Sequence, residues 1–373
     1  MRHMLISLFS HIAHHLFPVR TLPQHPKKII VIKPCCLGDV VLATPAIAAL
    51  HARYPQAMID VAVGTWSRSV LENNPHINHL IDSGRVGQGH YSLHDVWRFA
   101  QRVRNGNYDL AVTLDRSPLV GMVAWLAGIR HRLGMDSGKR GFAHTVRVHV
   151  PQAVRHEAML YLDCVAMTGI KTTTNHVSNF WTEFHPSWSN KALPSSSYVV
   201  IHPSGGVNPG MTMLDKRWTS VRFAKLASRF NQAGFSVIFS GTKDDIPLCK
   251  EIINLMTTDD IYILAGKLTL EQFGALCQQA TLFIGGDTGA MHIAVATGCK
   301  TLAIFGPTDP KRYGPFALSH QAIALWRPIP LPSGGVGQGH ANNFSWEDGV
   351  TVDEVWRGVE ELVSGEHLQF TPT

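Results

Sequence analysis

The sequence predicts an α/β protein made of two Rossmann-like domains facing a central cleft, and three observations carry that expectation. From Lys28 onward, short β-branched runs alternate with longer helical stretches, the pattern of parallel sheets whose strands are joined by helices. The length of 373 residues exceeds one domain of roughly 100 to 200 residues. The stretch Lys171 to Ser197, rich in Thr, Asn, Ser and Pro and without periodicity, separates two blocks that each read as a complete α/β series. The expected division is an amphipathic segment over 1–26, a first domain over 27–180, a second over 195–345, and a C-terminal helix within 350–365 that packs back on the first domain.

Met1 to Phe17 sets Leu5, Leu8, Phe9, Ile12 and Leu16 at helical spacing, with Ser and His on the other faces, which predicts an amphipathic helix. It lacks the unbroken apolar centre and cleavage site of a signal peptide. Packing on the protein's own body or on a partner is the plainer reading. Docking on a membrane surface, helped by Arg2, Arg20, Lys27 and Lys28, stays open beside it. Lys27 to Lys33 (KKIIVIK) then reads as a buried strand, Pro34 to Asp39 as a loop, Val40 to Pro55 as a helix, and Met58 to Gly64 as a second strand. His79 to Asp82, Asp109 to Asp115 and Val146 to Val150 are further strands, interleaved with helices around Ser92 to Asn105 and Pro118 to Gly128. The second series has strands at Tyr198 to Gly206, Phe235 to Gly241, Asp260 to Gly266, Thr281 to Gly286 and Lys300 to Gly306. Its helices fall at Trp218 to Gln232 and Thr351 to Val363.

Composition narrows the function. Charged residues make up 16% of a chain that is 45% hydrophobic, which excludes disorder. Lys plus Arg number 33 against 27 Asp plus Glu, a net charge of +6. That surplus is too sparse for a dedicated nucleic-acid binder and suits small phosphorylated ligands. None of the six cysteines makes a C-x-x-C spacing, so all are expected as reduced thiols in a cytoplasmic protein. The longest apolar stretch, Pro118 to Ile129, is about half a membrane span. The pentapeptide VGQGH occurs at Val86 to His90 and again at Val336 to His340. So short a repeat fits coincidence, and a pair of flexible loops lining the cleft is the alternative.

Several nucleotide and metal signatures are missing. No G-x-G-x-x-G follows a strand, and Gly134 to Arg140 (GMDSGKR) is one residue short of a P-loop, with Arg140 where a hydroxyl should bind magnesium. There is no D-x-D and no H-E-x-x-H, so neither a metal nor a cofactor is expected. What remains is a set of strand-to-helix turns, where backbone N–H groups and the helix dipole can hold phosphate. In His202 to Gly206 (HPSGG) a strand ends in a small-residue loop, followed by Lys216 and Arg217, cations able to neutralise a diphosphate or to stand as a solvated pair at a helix start. In Gly285 to Gly298, Asp287 or Thr288 caps a helix with His292 one turn in, an arrangement fit for a hydroxyl and phosphate site. Phe305 to Pro310 (FGPTDP) is a third rigid turn. In the first domain Asp39 opens the first helix at the strand end where ligands of open α/β sheets bind, either as an N-cap or as a general base for an acceptor hydroxyl.

Taken in order, these segments resemble the ADP-heptose lipopolysaccharide heptosyltransferases, glycosyltransferase family 9. The similarity runs from KKIIVIKPCCLGDVVLATPAIAALHARYPQAMIDVAV through HPSGG and DKRW to GTKDD, LAGKLTLEQ, GGDTGAMHIAVATG and FGPTDP, most of residues 28 to 316. The resemblance implies a GT-B fold, an acceptor on the first domain, a nucleotide sugar on the second, and inverting transfer without a metal. Asp39 matches the family's catalytic base and Lys216 the lysine on the diphosphate. Ser204, Gly205 and Gly206 match the phosphate loop. Asp287, Thr288, Gly289 and His292 match the donor-binding D-T-G-x-x-H, and Leu268 falls where the adenine lies. Lys243 stands where one branch has an acidic ribose contact, Arg217 accompanies Lys216, and the loop between Gly206 and Lys216 is longer than usual. The segment Leu331 to Gly349 replaces a cysteine-containing stretch common in the family.

The expected function is therefore transfer of a heptose from ADP-heptose, a substrate rather than a cofactor, to a glycan, glycolipid, protein or small-molecule hydroxyl, with no nucleic acid as partner. Peripheral contact of residues 1–17 with the inner face of a membrane goes with it as an open alternative. Basic residues such as Arg68, Arg130, Arg132, Lys139 and Arg140 suit a phosphorylated glycolipid. An epimerase or hydrolase of the same fold, and a non-catalytic sugar-nucleotide scaffold, are the competing readings.

Overall fold

A computed structural model describes residues 17–172, 177–180, 194, 196–258, 260–318, 320–330 and 344–363. The amphipathic stretch before Phe17, the second VGQGH and most of Leu331 to Gly349 lie outside the described residues. The chain divides into two compact units at Val177, inside the stretch Lys171 to Ser197.

Unit 1 holds six strands, β1 (Lys28–Ile32), β2 (Met58–Val63), β3 (His79–Asp82), β4 (Leu110–Thr113), β5 (His131–Asp136) and β6 (Val146–His149). Their order is β3-β2-β1-β4-β5-β6 and every neighbouring pair is parallel. Parallel strands are covered on both faces, so they read as unbroken apolar runs. Ile29 to Ile32 of β1 are accordingly all fully buried. Helices Leu37–Arg53, Leu93–Arg104, Pro118–Leu126 and Glu157–Ala166 supply the covering layers. Ser92 closes a capping box with Asp95, which fixes the start of the second of these.

Unit 2 repeats the plan with β7 (Tyr198–His202), a small antiparallel ribbon of β8 (Val207–Asn208) and β9 (Met211–Thr212), and then β10 (Ser236–Phe239), β11 (Ile261–Ile263), β12 (Leu282–Gly286), β13 (Thr301–Ile304) and β14 (Ala322–Leu325). The main sheet runs β11-β10-β7-β12-β13-β14, again all parallel. In each unit the strand order reverses beside the first strand, between β1 and β4 and between β7 and β12. Such a switch point opens a crevice at the carboxyl ends of the strands.

Two expectations are corrected. The C-terminal helix Val352–Val363 buries its apolar stripe in unit 2 rather than on the first unit. Val355, Trp356, Val359 and Leu362 join that unit's core, Trp356 lies 5.1 Å from Phe230, and Arg229 stacks on Trp356 at 4.3 Å. Cys35 and Cys36 are joined by a disulfide, while Cys164, Cys249, Cys277 and Cys299 are free and buried. Side chains adjacent in sequence can bridge without any C-x-x-C spacing, so the spacing argument did not bear on this pair. Gly134 to Arg140, already set aside as a P-loop on sequence, straddles the end of β5 and a turn in which Asp136 accepts from the Gly141 N–H at 2.9 Å. Among the described residues no helix is long and apolar enough to cross a membrane.

Candidate functional site

At the switch point of unit 1, β1 ends in a buried lysine. Lys33 is 5% exposed, and its Nζ lies 3.4 Å from Asp39 Oδ2 and 3.7 Å from Asp115 Oδ2. Asp39 sits in the first turn of helix Leu37–Arg53, whose N-cap is Cys36, so Asp39 is not the cap. Its carboxylate is held by Lys33 instead, about a quarter exposed. Asp115 follows β4, and its other oxygen accepts from the Ser117 N–H at 2.7 Å, which aims Oδ2 at the lysine. Behind them Arg116 pairs with the buried Glu157, and the Tyr161 ring lies 5.9 Å from Lys33 Nζ. Burial alone would lower the Lys33 pKa, but the carboxylates of Asp39, Asp115 and Glu157 outweigh it and hold the ammonium above its ordinary value. The first VGQGH packs beside this loop, with Gly87 in close approach to Pro34 and Cys35.

At the switch point of unit 2, β7 runs into the loop His202 to Gly206. Gly205 (φ 138) and Gly206 (φ 75) adopt backbone that other residues rarely take, and a side chain there would strike Thr288 and the Met213 carbonyl. Ser204 Oγ donates to Asp245, whose other oxygen accepts from the Thr242 N–H and hydroxyl, each at 2.7 Å. Those hydrogen bonds outweigh burial and hold the Asp245 carboxyl below the usual range. His202, bonded to Ser240 at 3.1 Å, is pushed down to about 4 by burial, so the ring is neutral at pH 7.

The two basic residues after the loop part company. Arg217 Nε donates to the Gly205 carbonyl at 2.9 Å and its Nη2 lies 3.8 Å from Asp245, which ties it to the backbone of the His202 to Gly206 loop. Lys216 Nζ meets Asp287 Oδ2 at 2.6 Å, with both side chains near 10% exposed (12% and 10%). The same oxygen accepts from Thr308 of FGPTDP at 2.9 Å. Burial would raise the Asp287 carboxyl, and the Lys216 ammonium more than reverses that, so Asp287 stays ionised well into the acid range. Thr288, not Asp287, caps helix Gly289–Ala296, accepting from the Met291 N–H at 3.2 Å. His292 is buried within that helix. Gly289 opens it, which leaves room at its N-terminus.

Ser204, Gly205, Gly206, Lys216, Arg217, Asp287, Thr288, Gly289 and His292 thus gather at one sheet edge. Lys243 lies in the next strand's turn, its stem against Gly266, and Leu268 follows two residues later, half-buried. Sequence reasoning missed Lys33, Asp115, Asp245 and Thr308. A lysine closing the apolar run KKIIVIK was a readable signal for the first. The others are ordinary loop residues until folding gives them partners. Small-residue backbone, a helix N-terminus and two cations can bind a diphosphate, and a carboxylate beside a buried ammonium can take a proton from a hydroxyl.

Known proteins resemble this chain in sequence and in fold. The lipopolysaccharide heptosyltransferase 2 of Escherichia coli (strain K12) is 29% identical over 307 residues, covering 80% of this chain and 87% of that protein. The solved ADP-heptose lps heptosyltransferase II of E. coli is 25% identical with a TM-score of 0.71, covering 91% of this chain and 99% of that one. A glycosyl transferase family 9 structure from Veillonella parvula DSM 2008 superposes with a TM-score of 0.77 at 23% identity, covering 93% and 100%. The fold is GT-B. The sequence profile of glycosyltransferase family 9 (heptosyltransferase) matches residues 96–332, well over half the chain, and the protein belongs to that family as a glycosyltransferase.

Proposed function

We propose that the protein transfers a heptose from ADP-heptose to an acceptor hydroxyl of lipopolysaccharide or a related glycan, with inversion at the anomeric carbon and without a metal ion. Asp39 removes the proton of the acceptor hydroxyl as its oxygen bonds to the anomeric carbon, and the bond to the departing ADP oxygen breaks. Lys216, Arg217 and the Ser204 to Gly206 loop hold the diphosphate, taking the charge that a divalent ion would otherwise carry. Asp287, Thr288, Gly289 and His292 seat the donor, with Lys243 near the ribose and Leu268 near the adenine. The observation that carries this reading is that both switch points hold matching chemistry, an ammonium-buttressed carboxylate in unit 1 and a cationic phosphate loop in unit 2. The reaction is expected on the cytoplasmic side, with residues 1–17 in peripheral contact with the membrane.

The test is a transfer assay with ADP-heptose and a panel of UDP-, GDP- and CDP-sugars, following the anomeric configuration of the product. Turnover with ADP-heptose and an inverted product is expected. Removing a general base costs about 10²–10⁴-fold, so Asp39→Ala should lose that much kcat while still binding the donor. Asp39→Ala turning over at the parent rate would sink the assignment of the base.

A further inference from the structure

The edge of unit 1 opposite Asp39 carries a second kind of surface. Phe17, Arg20, Trp125, Ile129, Arg130 and Arg132 line a concavity of about 350 Å³. Arg130 precedes the first residue of β5, whereas Asp39 and Asp115 follow the last residues of β1 and β4. At about 3.3 Å per residue a six-residue strand separates the two edges by roughly 20 Å. The concavity is therefore no part of the transfer site.

Its walls are aromatic. Phe17 meets Trp125 edge-on at 5.2 Å and Phe142 at 5.5 Å. Trp125 is nonetheless 41% exposed, and Val19, two residues after Phe17, is 74% exposed. Its floor is cationic: Arg132 is buried, with Nε donating to the Ala143 carbonyl and Nη1 to the Ile129 carbonyl, both at 2.6 Å. Those acceptors are neutral. Among the described residues no carboxylate pairs with Arg20, Arg130 or Arg132. Burial lowers the Arg132 pKa, and the guanidiniums of Arg20 and Arg147 lower it further. Asp136 faces Arg147, and Arg20, Arg130 and Arg132 form a cluster of like charge that attracts an anion.

We propose that this edge of unit 1 docks on an anionic phospholipid membrane, with headgroup phosphates paired to Arg20 and Arg130 over Arg132, and with Phe17, Val19 and Trp125 entering the interface. Exposed tryptophan flanked by arginine is the side-chain mixture that the membrane interface favours, and anionic lipid adds the electrostatic attraction. The inference rests on the proposed peripheral contact of residues 1–17 and is read without any transfer reaction.

The full-length protein is sedimented with vesicles of phosphatidylglycerol and phosphatidylcholine, and with phosphatidylcholine alone. Binding to the anionic vesicles is expected, and each basic side chain near an anionic leaflet changes partition about five-fold. The Arg20→Gln/Arg130→Gln double variant should therefore bind about 25-fold more weakly, and Trp125→Ser should also weaken binding, with far-UV dichroism and thermal melting unchanged. Equal binding to both vesicle types, no binding to either, or a folded double variant that binds like the parent would overturn the proposal. So would complete release by excess inorganic phosphate at constant ionic strength, since that marks a free-anion site. Failure of heptosyl transfer would count against the enzymatic reading and leave the vesicle result standing.

Discussion

Lys33 is the cation that both carboxylates of the unit 1 site face. Asp39 and Asp115 share its ammonium at 3.4 and 3.7 Å, so the cation offsets the repulsion between them. Lys33→Met removes that charge while keeping the stem and leaves the two carboxylates without it. The value of kcat/KM at neutral pH should fall roughly ten-fold or more, a barrier increase of about 1.4 kcal/mol, and Lys33→Arg, which keeps the charge, should lose less. Equal losses in the two variants would assign Lys33 a packing role only. The pair Lys216 and Asp287 calls for a different experiment. Both are almost buried, so Lys216→Ala leaves an unpaired carboxylate and should destabilise unit 2 by roughly 3 kcal/mol. The double change Lys216→Met/Asp287→Leu should recover most of that stability in a urea melt yet not recover ADP binding. Recovery of both would mean that the lysine serves the fold alone.

At the level of elements, the sequence was most legible where burial makes a strand uniformly apolar. The strand at His79–Asp82 has the bounds that its composition predicts, and β1 and β7 fall within one to four residues of theirs. β5 went unread because HRLGMD carries Arg132, a residue that belongs inside only because the Ala143 and Ile129 carbonyls receive it. Helix Leu270–Gln279 had a visible signal, the capping box of Thr269 with Gln272, that was not weighed. Helix Glu157–Ala166 had none, since its N-cap is His156. In the site, Asp39 and Ser204 stood out as residues of the turns after β1 and β7, and Lys216 as one of a basic pair ahead of helix Ser220–Gln232. Asp115 and Asp245 did not, because Lys33 and Ser204, which tie them to the site, are distant in sequence. β5 also supports a test of how tightly unit 1 is packed. A Cβ at Gly134 would lie 2.4 Å from the ring of His144, which is itself only 1% exposed. Gly134→Ala should cost about 1–3 kcal/mol by overpacking, read from the urea midpoint at pH 7. A neutral substitution would show that His144 can swing away.

Across the whole molecule, folding makes a buried imidazole harder to protonate in each unit, His144 in unit 1 and His202 in unit 2. His144 in unit 1 is pushed down to about 4 by burial, with Arg132 and Arg147 adding to the effect and Asp136 opposing it. His202 in unit 2 is likewise lowered to about 4. A depressed imidazole binds its proton more readily in the unfolded chain, where its pKa is near 6.5. Stability is therefore greatest above pH 6.5, falls as the pH drops towards 4, and levels off for this contribution below that. For His144 alone, at 1.36 kcal/mol per pH unit, the loss between pH 7 and pH 5 is roughly 2 kcal/mol, and His202 acts in the same direction. Asp245 and Asp287 behave oppositely in mechanism but not in sign. Their folded pKa values lie below 3.8, so the stability they contribute is intact above that value and is lost only on further acidification. Urea unfolding measured from pH 8 to pH 3 should consequently show a decline that begins near pH 6.5, well above the carboxylate range. His144→Gln, which keeps a polar side chain without the titration, should flatten the curve between pH 7 and pH 5 by about the amount assigned to that ring. An unchanged slope between pH 7 and pH 5 in that variant would mean that the folded protein protonates the His144 ring as readily as the unfolded chain does, and that the decline belongs to His202.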